Sequence, residues 1–429
     1  MREIGIAGLS KLIMVVAVVV FAGCIPVGEI VSPGNDDEVE AGTIVQFTGE
    51  ASDSSGSPIV EWQWDFGDGE TTTTPSGTAL HVYDEPGVYT ASLIVMNGEG
   101  KLSVCNPGTA CEVTLVANEL PCTSSAGTDC RGRITIDGMK VRYWRNYPLG
   151  TANDAIRRAV IVQHGNSRNA DDYFGDIVDA AATEGASMST LILAPNFITT
   201  DDAPAGDELV WTSSGWKKGN LSDDAYDISS FDVMDDIFDR LATPGRFPNL
   251  EKITLVGHSA GGQYVNRFAG GSEAEDAPDM SGLEIRYIIA NPSSYMYLSD
   301  ERALPGFLDD FETPEAGDCS EYNEYKYGLE DRNTYMSQVT SSEIRSMYTA
   351  RDVVILLGLN DNDPNASGLD TGCEAMYQGD HRLERGIIFY NHLCDYHDCS
   401  NQLIHFVPGV GHDHTDMFTS NVGLADIFF

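Results

Sequence analysis

The sequence predicts two modules of different class: a β-sandwich, then an α/β domain built on a mostly parallel sheet with helices on both faces. Three observations predict it. At 429 residues the chain is too long for one ordinary domain. After Val27 it runs in short alternating apolar stretches broken by Gly, Pro, Asn and Asp. From about residue 133 onward, apolar strand-like runs alternate with amphipathic helical ones. A hydrophobic content of 42%, with 16 Phe, 18 Tyr and 5 Trp, supplies material for two cores and excludes bulk disorder.

Charge narrows the partners. Twenty-five Lys and Arg stand against 66 Asp and Glu, a formal net charge of −41. Nucleic acid is excluded, because phosphate backbones require a basic footprint. The acids are scattered, with no run longer than Asp36-Asp37-Glu38. They read as solvated surface, not as an interaction tail.

Residues 1–23 read as a signal peptide: Arg2 and Lys11 precede the apolar run Leu12–Ala22, which is too short to span ~30 Å of hydrocarbon. The run closes on Phe21-Ala22-Gly23-Cys24, which resembles the bacterial lipoprotein box although Phe21 replaces the usual Leu. That resemblance implies that Cys24 is acylated and becomes the mature N-terminus, with residues 24–29 as a tether to the membrane, at the outer membrane or cell surface. Each buried CH₂ of such a lipid contributes ~0.8 kcal/mol. Ordinary secretion, with Cys24 inside an uncleaved segment, is the alternative. Of nine cysteines, setting Cys24 aside leaves an even number, which in an exported chain favours disulfides. Local spacing suggests Cys105–Cys111, Cys122–Cys130 and Cys394–Cys399, leaving Cys319 for Cys373. A zinc site on His392, Cys394, His397 and Cys399 is the weaker alternative, lacking a second paired cluster.

The first module is assigned to residues 30–117, with strand-like runs such as Ile44–Phe47 and Val88–Val95. Within it, Trp62-Gln63-Trp64-Asp65-Phe66-Gly67-Asp68-Gly69, His81-Val82-Tyr83 and Pro86-Gly87-Val88-Tyr89 resemble the signature of the polycystic-kidney-disease (PKD) repeat, an immunoglobulin-like sandwich. Asp68-Gly69 is a tight turn, and the Trp and Phe side chains alternate into a core rather than forming a sugar-binding platform. The resemblance implies a spacer or polymer-contacting module. Residues 118–132, rich in Ser, Thr and Gly, read as a linker stapled by Cys122 and Cys130.

Residues 133–429 carry the α/β pattern. Strand-like runs are Arg133–Tyr143, Arg158–Gln163, Ser187–Ala194, Lys252–Val256, Glu284–Ala290, Val353–Gly358 and Gln402–Val407. The clearest helix places Ile228, Phe231, Met234, Ile237, Phe238 and Leu241 on one face.

Chemistry concentrates where Lys252–Val256 runs into Gly257-His258-Ser259-Ala260-Gly261-Gly262 and then a helical stretch. In a chain with 43 glycines a Gly-x-Ser-x-Gly motif is cheap, but a strand–turn–helix context is not. The glycines let the chain turn so tightly that the Ser259 hydroxyl stands clear of the sheet. A base should lie late, on a loop after a strand: His412 is chosen, with His414 in reserve, and His258 inside the turn is set aside as base. The imidazole needs a carboxylate on its other nitrogen; Asp361 after Val353–Gly358 is chosen over Asp363. For the developing oxyanion, the N–H of Ala260 and that of Asn166, in the loop His164-Gly165-Asn166, are the candidate donors.

The order Ser, Asp, His together with the His-Gly loop resembles the α/β-hydrolase superfamily over the whole second module. It is nearest to exported esterases and polyhydroxyalkanoate-depolymerase-like enzymes. The resemblance implies a cofactor-free serine esterase acting on a carboxylic ester, polymeric substrates included. His164, Gly165 and His258 would border the substrate, and Trp211 and Trp216 either line an acyl pocket or pack a lid. Asn291-Pro292-Ser293-Ser294-Tyr295 follows a strand and would border the cleft. Asp361, Asp363 and Asp370 invite a calcium reading without EF-hand spacing; no metal is expected. A peptidase or amidase on the same fold, or a non-catalytic surface binding protein, are the rival readings. Oligomeric state and substrate identity are not written in the chain.

Overall fold

The computed structural model describes residues 25–429, apart from residues 36, 42–43, 84–86, 107, 119–120, 124–129, 316 and 318. The expected signal peptide and Cys24 lie outside the described residues. The chain divides into two compact units, Met1–Glu119 and Leu120–Phe429.

Among the described residues the first unit is a sandwich of eight strands: β1 (Val27–Ser32), β2 (Asp37–Glu40), β3 (Ile44–Ser52), β4 (Ile59–Asp65), β5 (Thr71–Thr74), β6 (Thr78–Val82), β7 (Gly87–Asn97) and β8 (Glu112–Asn118). They form a three-stranded sheet β1-β3-β6 and a five-stranded sheet β2-β8-β7-β4-β5. The sandwich begins at Val27, three residues before the expected boundary, because β1 pairs with β3 from Val27 onward. Period-two alternation puts Trp62 and Trp64 inward, with Phe47, Phe66 and Tyr83 around them. The His81 ring stacks on Phe66 at 3.9 Å and its Nε2 sits 2.6 Å from Asp68 Oδ2, while the Tyr83 hydroxyl donates to the Phe66 carbonyl at 2.9 Å. The motif residues thus secure the Asp68-Gly69 turn, where Gly69 has φ +96°.

The second unit contains, in order, β9 (Arg131–Ile136), β10 (Met139–Arg145), β11 (Arg158–Gln163), α1 (Ala170–Thr183), β12 (Thr190–Asn196), α2 (Ser230–Ala242), β13 (Lys252–His258), α3 (Ala260–Gly271) and β14 (Glu284–Ala290). A short ribbon, β15 (Arg302–Ala303) with β16 (Phe311–Glu312), and α4 (Ser341–Ala350) precede β17 (Asp352–Gly358). Then come α5 (Cys373–Met376), α6 (Arg382–Tyr396), β18 (Gln402–Val407), α7 (His414–Thr419) and α8 (Asn421–Ile427). The sheet order is β9-β10-β12-β11-β13-β14-β17-β18, parallel from β12 through β18 and antiparallel at the β9–β10–β12 edge.

Two expectations need correction here. The run Arg133–Tyr143 is not one strand: Asp137 and Gly138 both have positive φ, turning the chain into a hairpin. The stapled segment 118–132 is not a free linker. The Cys122 N–H donates to the Asn146 carbonyl and the Arg145 N–H to the Cys130 carbonyl, so its two cysteines are held by the second unit, whereas Asn118 ends β8 in the first. The structure pairs Cys105 with Cys111, Cys122 with Cys130, Cys319 with Cys373 and Cys394 with Cys399. The last bond removes the thiolates that a zinc site would need.

Parallel strands buried on both faces must feed two cores. In β11, Ala159 and Ile161 enter one cluster with α2, α3, α4 and α6, whereas Val160 and Val162 enter another with α1, α7 and α8. In β17, Val353, Ile355 and Leu357 likewise part from Val354 and Leu356. Capping boxes at Ser229–Asp232 and Thr340–Glu343 set the starts of α2 and α4; such caps contribute ~1 kcal/mol each. The outcome is a rigid sheet whose carboxyl edge carries every loop discussed below.

Candidate active site

The turn from β13 into α3 is shaped by absent side chains. A Cβ on Gly257 would lie 2.4 Å from the Gly261 backbone, one on Gly261 2.2 Å from the Gln163 carbonyl, and one on Gly262 2.7 Å from the Ala290 carbonyl. Backbone therefore packs on backbone, and β11, β13 and β14 close on the turn. Ser259 pays for this with φ +58° and ψ −115°, a sparsely populated conformation costing ~1–3 kcal/mol for a non-glycine residue. Its N–H is secured by the Ala290 carbonyl at 2.9 Å.

The other two side chains arrive from neighbouring strand ends. His412 Nε2 lies 3.0 Å from Ser259 Oγ, and His412 Nδ1 lies 2.6 Å from Asp361 Oδ2. Asp361 is 3% exposed, and its Oδ1 faces Arg382 Nη1 at 3.4 Å. A buried carboxylate on Nδ1 leaves Nε2 free to take a proton from the hydroxyl. The two loops are laced together: the Asn360 N–H donates to the Val410 carbonyl and the Leu359 N–H to the Val407 carbonyl. Asn291, with φ +43°, clamps both, accepting from the Gly358 N–H at 2.9 Å and donating to the Gly411 carbonyl at 3.3 Å. The sequence placed Asn291 at the cleft border; its bridging role was invisible there, as was the role of Arg382.

Asp363 is exposed and serves a local turn through the Asn365 N–H. His414 turns away: its Nδ1 pairs with Asp176 Oδ2 at 2.5 Å and its ring stacks on Tyr173 at 4.1 Å. Burial alone would lower the His414 pKa, but the hydrogen bond and charge of Asp176, with Asp413 and Asp172, raise it. His258 is 2% exposed, its ring 4.5 Å from that of His412. Burial, then the charges of His412, His414 and Arg382, hold it well below the ordinary imidazole range, so it is a neutral backing for His412.

Ser259 opens onto a cleft of about 400 Å³ whose wall includes Gly165, Asn166, His258, Ala260, Gln263 and His412. Neither the Ala260 nor the Asn166 N–H donates to another group among the described residues. His164, however, is not a substrate contact. It is fully buried, donates from Nδ1 to the Gly165 carbonyl at 2.8 Å and accepts the Phe197 N–H on Nε2 at 3.0 Å. Burial lowers its pKa to about 4, so it is a neutral peg that fixes the loop. Trp211 and Trp216 are also corrected: at 1% and 0% exposure they pack with Phe197 and Tyr264 in the core and are absent from the cleft wall. Their sequence position beside the cleft was right, but exposure is a tertiary property. The calcium reading dissolves too, because Asp370 is held by Lys326 at 2.7 Å and by the Tyr327 hydroxyl at 2.9 Å, and Asp361 by His412.

Counted within its own sheet, the strand order is 1-2-4-3-5-6-7-8, with the serine after strand five, the acid after seven and the histidine after eight. This is the α/β-hydrolase fold. Residues 27–107 match the family model of the PKD domain, and the first unit is a PKD sandwich. A 59-residue stretch is 39% identical to collagenase ColA of Bacillus cereus, covering 14% of this chain and 6% of the collagenase's own length. Among solved structures, poly(aspartic acid) hydrolase-1 from Sphingomonas sp. KT-1 is 22% identical with a TM-score of 0.49, over 70% of this chain and 98% of that one. The poly(3-hydroxybutyrate) depolymerase LpqC from Bordetella parapertussis is 21% identical with a TM-score of 0.46, over 69% and 94%.

Proposed function

We propose that the second unit is a serine hydrolase cleaving carboxylic esters through an acyl-enzyme. The observation that carries this reading is the continuous chain from Ser259 Oγ through His412 to Asp361, at 3.0 and 2.6 Å, on a strained strand–helix turn. Ser259 attacks the ester carbonyl as His412 Nε2 takes its proton, while Asp361 holds the imidazole in one tautomer. The N–H groups of Ala260 and Asn166 receive the developing oxyanion. His412 returns the proton to the leaving alkoxide, and water repeats the sequence to release the acid.

We further propose that the protein is exported and held in the cell envelope through a lipid on Cys24, with the PKD sandwich as spacer or polymer-contacting module. Four disulfides favour an oxidising compartment. No helix among the described residues is long and apolar enough to cross a membrane.

The test is covalent labelling with a fluorophosphonate, which reacts only with an activated serine. Wild-type protein should label at Ser259 and hydrolyse short 4-nitrophenyl esters. Ser259→Ala should lose labelling and at least ~10³-fold in kcat. Unchanged ester turnover in Ser259→Ala would overturn the reading. A parallel panel of matched esters and amides separates esterase from amidase.

A further inference from the structure

We infer that the cleft selects acyl substrates bearing a carboxylate near the scissile carbonyl, and that the Lys217 ammonium receives it. This deepens the serine-hydrolase reading and rests on it. The starting point is a local inversion of charge. In a chain with 66 acids against 25 Lys and Arg, the wall around Ser259 contains, among the described residues, Lys217 and Arg382 and not one Asp or Glu. Arg382 is committed to Asp361 and the Ser367 carbonyl. Lys217 has no carboxylate partner among the described residues, and its Nζ makes one long contact, 3.5 Å, to Asn166 Oδ1. The free cation therefore sits beside the residue assigned to the oxyanion.

The wall is backed by more positive charge. Arg267 is fully buried and donates only to neutral acceptors, the Lys217, Lys326 and Gln263 carbonyls, Gln263 Oε1 and Ser294 Oγ. Arg385, also fully buried, donates to the Gly379 and Ser293 carbonyls and to Met376 Sδ. Three of the residues they hold, Lys217, Gln263 and Ser293, line the cleft. Guanidinium charge left unneutralised in a poorly screened interior projects a positive potential into the adjoining cavity. The nearby carboxylates are engaged elsewhere: Asp370 with Lys326, Asp202 with Arg168, Asp176 with His414. Lys217 is also fixed in place, because Trp216 before it is buried in the core and Gly219 after it leaves no room for a side chain, a Cβ there falling 2.2 Å from the Phe231 ring. Burial, then Lys326 and Arg267 nearby, outweigh the opposing charge of Asp370 and bring the Lys217 pKa down to about 8, so it is mostly protonated at pH 7.

The test compares two esters with the same scissile bond that end in a carboxylate or in its methyl ester, mono-4-nitrophenyl adipate and 4-nitrophenyl methyl adipate, at pH 7. Wild-type protein should prefer the monoanion by about tenfold in kcat/KM, expressed in KM. Lys217→Arg should keep that preference, Lys217→Gln should erase it and Lys217→Glu should invert it. If wild type turns over both esters equally, or the ratio is the same in wild type, Lys217→Gln and Lys217→Glu, the proposal falls while the hydrolase reading stands. Fluorophosphonate labelling of Ser259 in the same preparations separates the cases: absence of labelling in wild type would sink both.

Discussion

Two histidines two residues apart each pair through Nδ1 with a buried carboxylate, yet they have opposite fates. His412 binds Asp361 and reaches Ser259; His414 binds Asp176 and stacks on Tyr173, and its nearest hydroxyl, that of Thr415 at 3.5 Å, faces the same Nδ1 and itself donates to Asp176. The contrast teaches that a His–Asp pair is not by itself a catalytic device. What distinguishes His412 is a second nitrogen aimed at a serine that the elbow glycines have pushed clear of the sheet. His414 joins the last strand's loop to α1 and braces it.

The comparison can be broken in order of expected effect. His412→Asn should lower ester turnover by ~10⁴-fold or more without unfolding the protein, whereas His414→Asn should stay within about tenfold in steady-state kinetics. If the two variants lose activity equally, the division of labour is wrong. Asn291→Ala should follow, with kcat down about 10- to 100-fold and KM changed less, because both the acid loop and the histidine loop lose their clamp. His414→Asn should appear instead in denaturant melts as ~1–3 kcal/mol, the cost of leaving Asp176 with the Thr415 hydroxyl but without its imidazole. Smallest is a pH effect on that loss. The folded pKa of His414 is raised above its unfolded value, so the pair's stabilisation is full below about pH 6.5 and fades as pH rises through the folded value. The stability gap between wild type and His414→Asn should therefore be wider at pH 6 than at pH 9; a gap that grows with pH would contradict the pairing.

The same contrast shows what the chain makes legible. Ser259, Asp361 and His412 follow strand ends that are short, local patterns, so their meeting could be anticipated from three loops. The partner of His414 lies 238 residues away on the inner face of α1, and no local pattern announces it. Trp211 and Trp216 sat in the right loop, but only packing against Phe197 and Tyr264 decides that they face the core. The β9–β10 hairpin reads as one run because its apolar period continues across the Asp137-Gly138 turn. Lys217 had no signal at all: its meaning comes from a wall whose described residues include no Asp or Glu and from neighbouring carboxylates already paired with Lys326, Arg168 and His414, which only the folded chain displays.

One bond bears on how this protein can be made. Cys319, in the long connection between β14 and β17, is tied to Cys373, in the connection that follows β17 and carries Ser367 and Gly368 to the cleft. Closing so wide a loop restricts the unfolded chain by roughly 4 kcal/mol in the chain-entropy picture. Neither half of this bond lies in the sheet, so material produced in a reducing cytosol would keep its central scaffold while the connection after β17, which carries Asp361 as well as part of the groove rim, loosened. Recombinant preparations from oxidising and reducing hosts would then be two different reagents carrying one sequence.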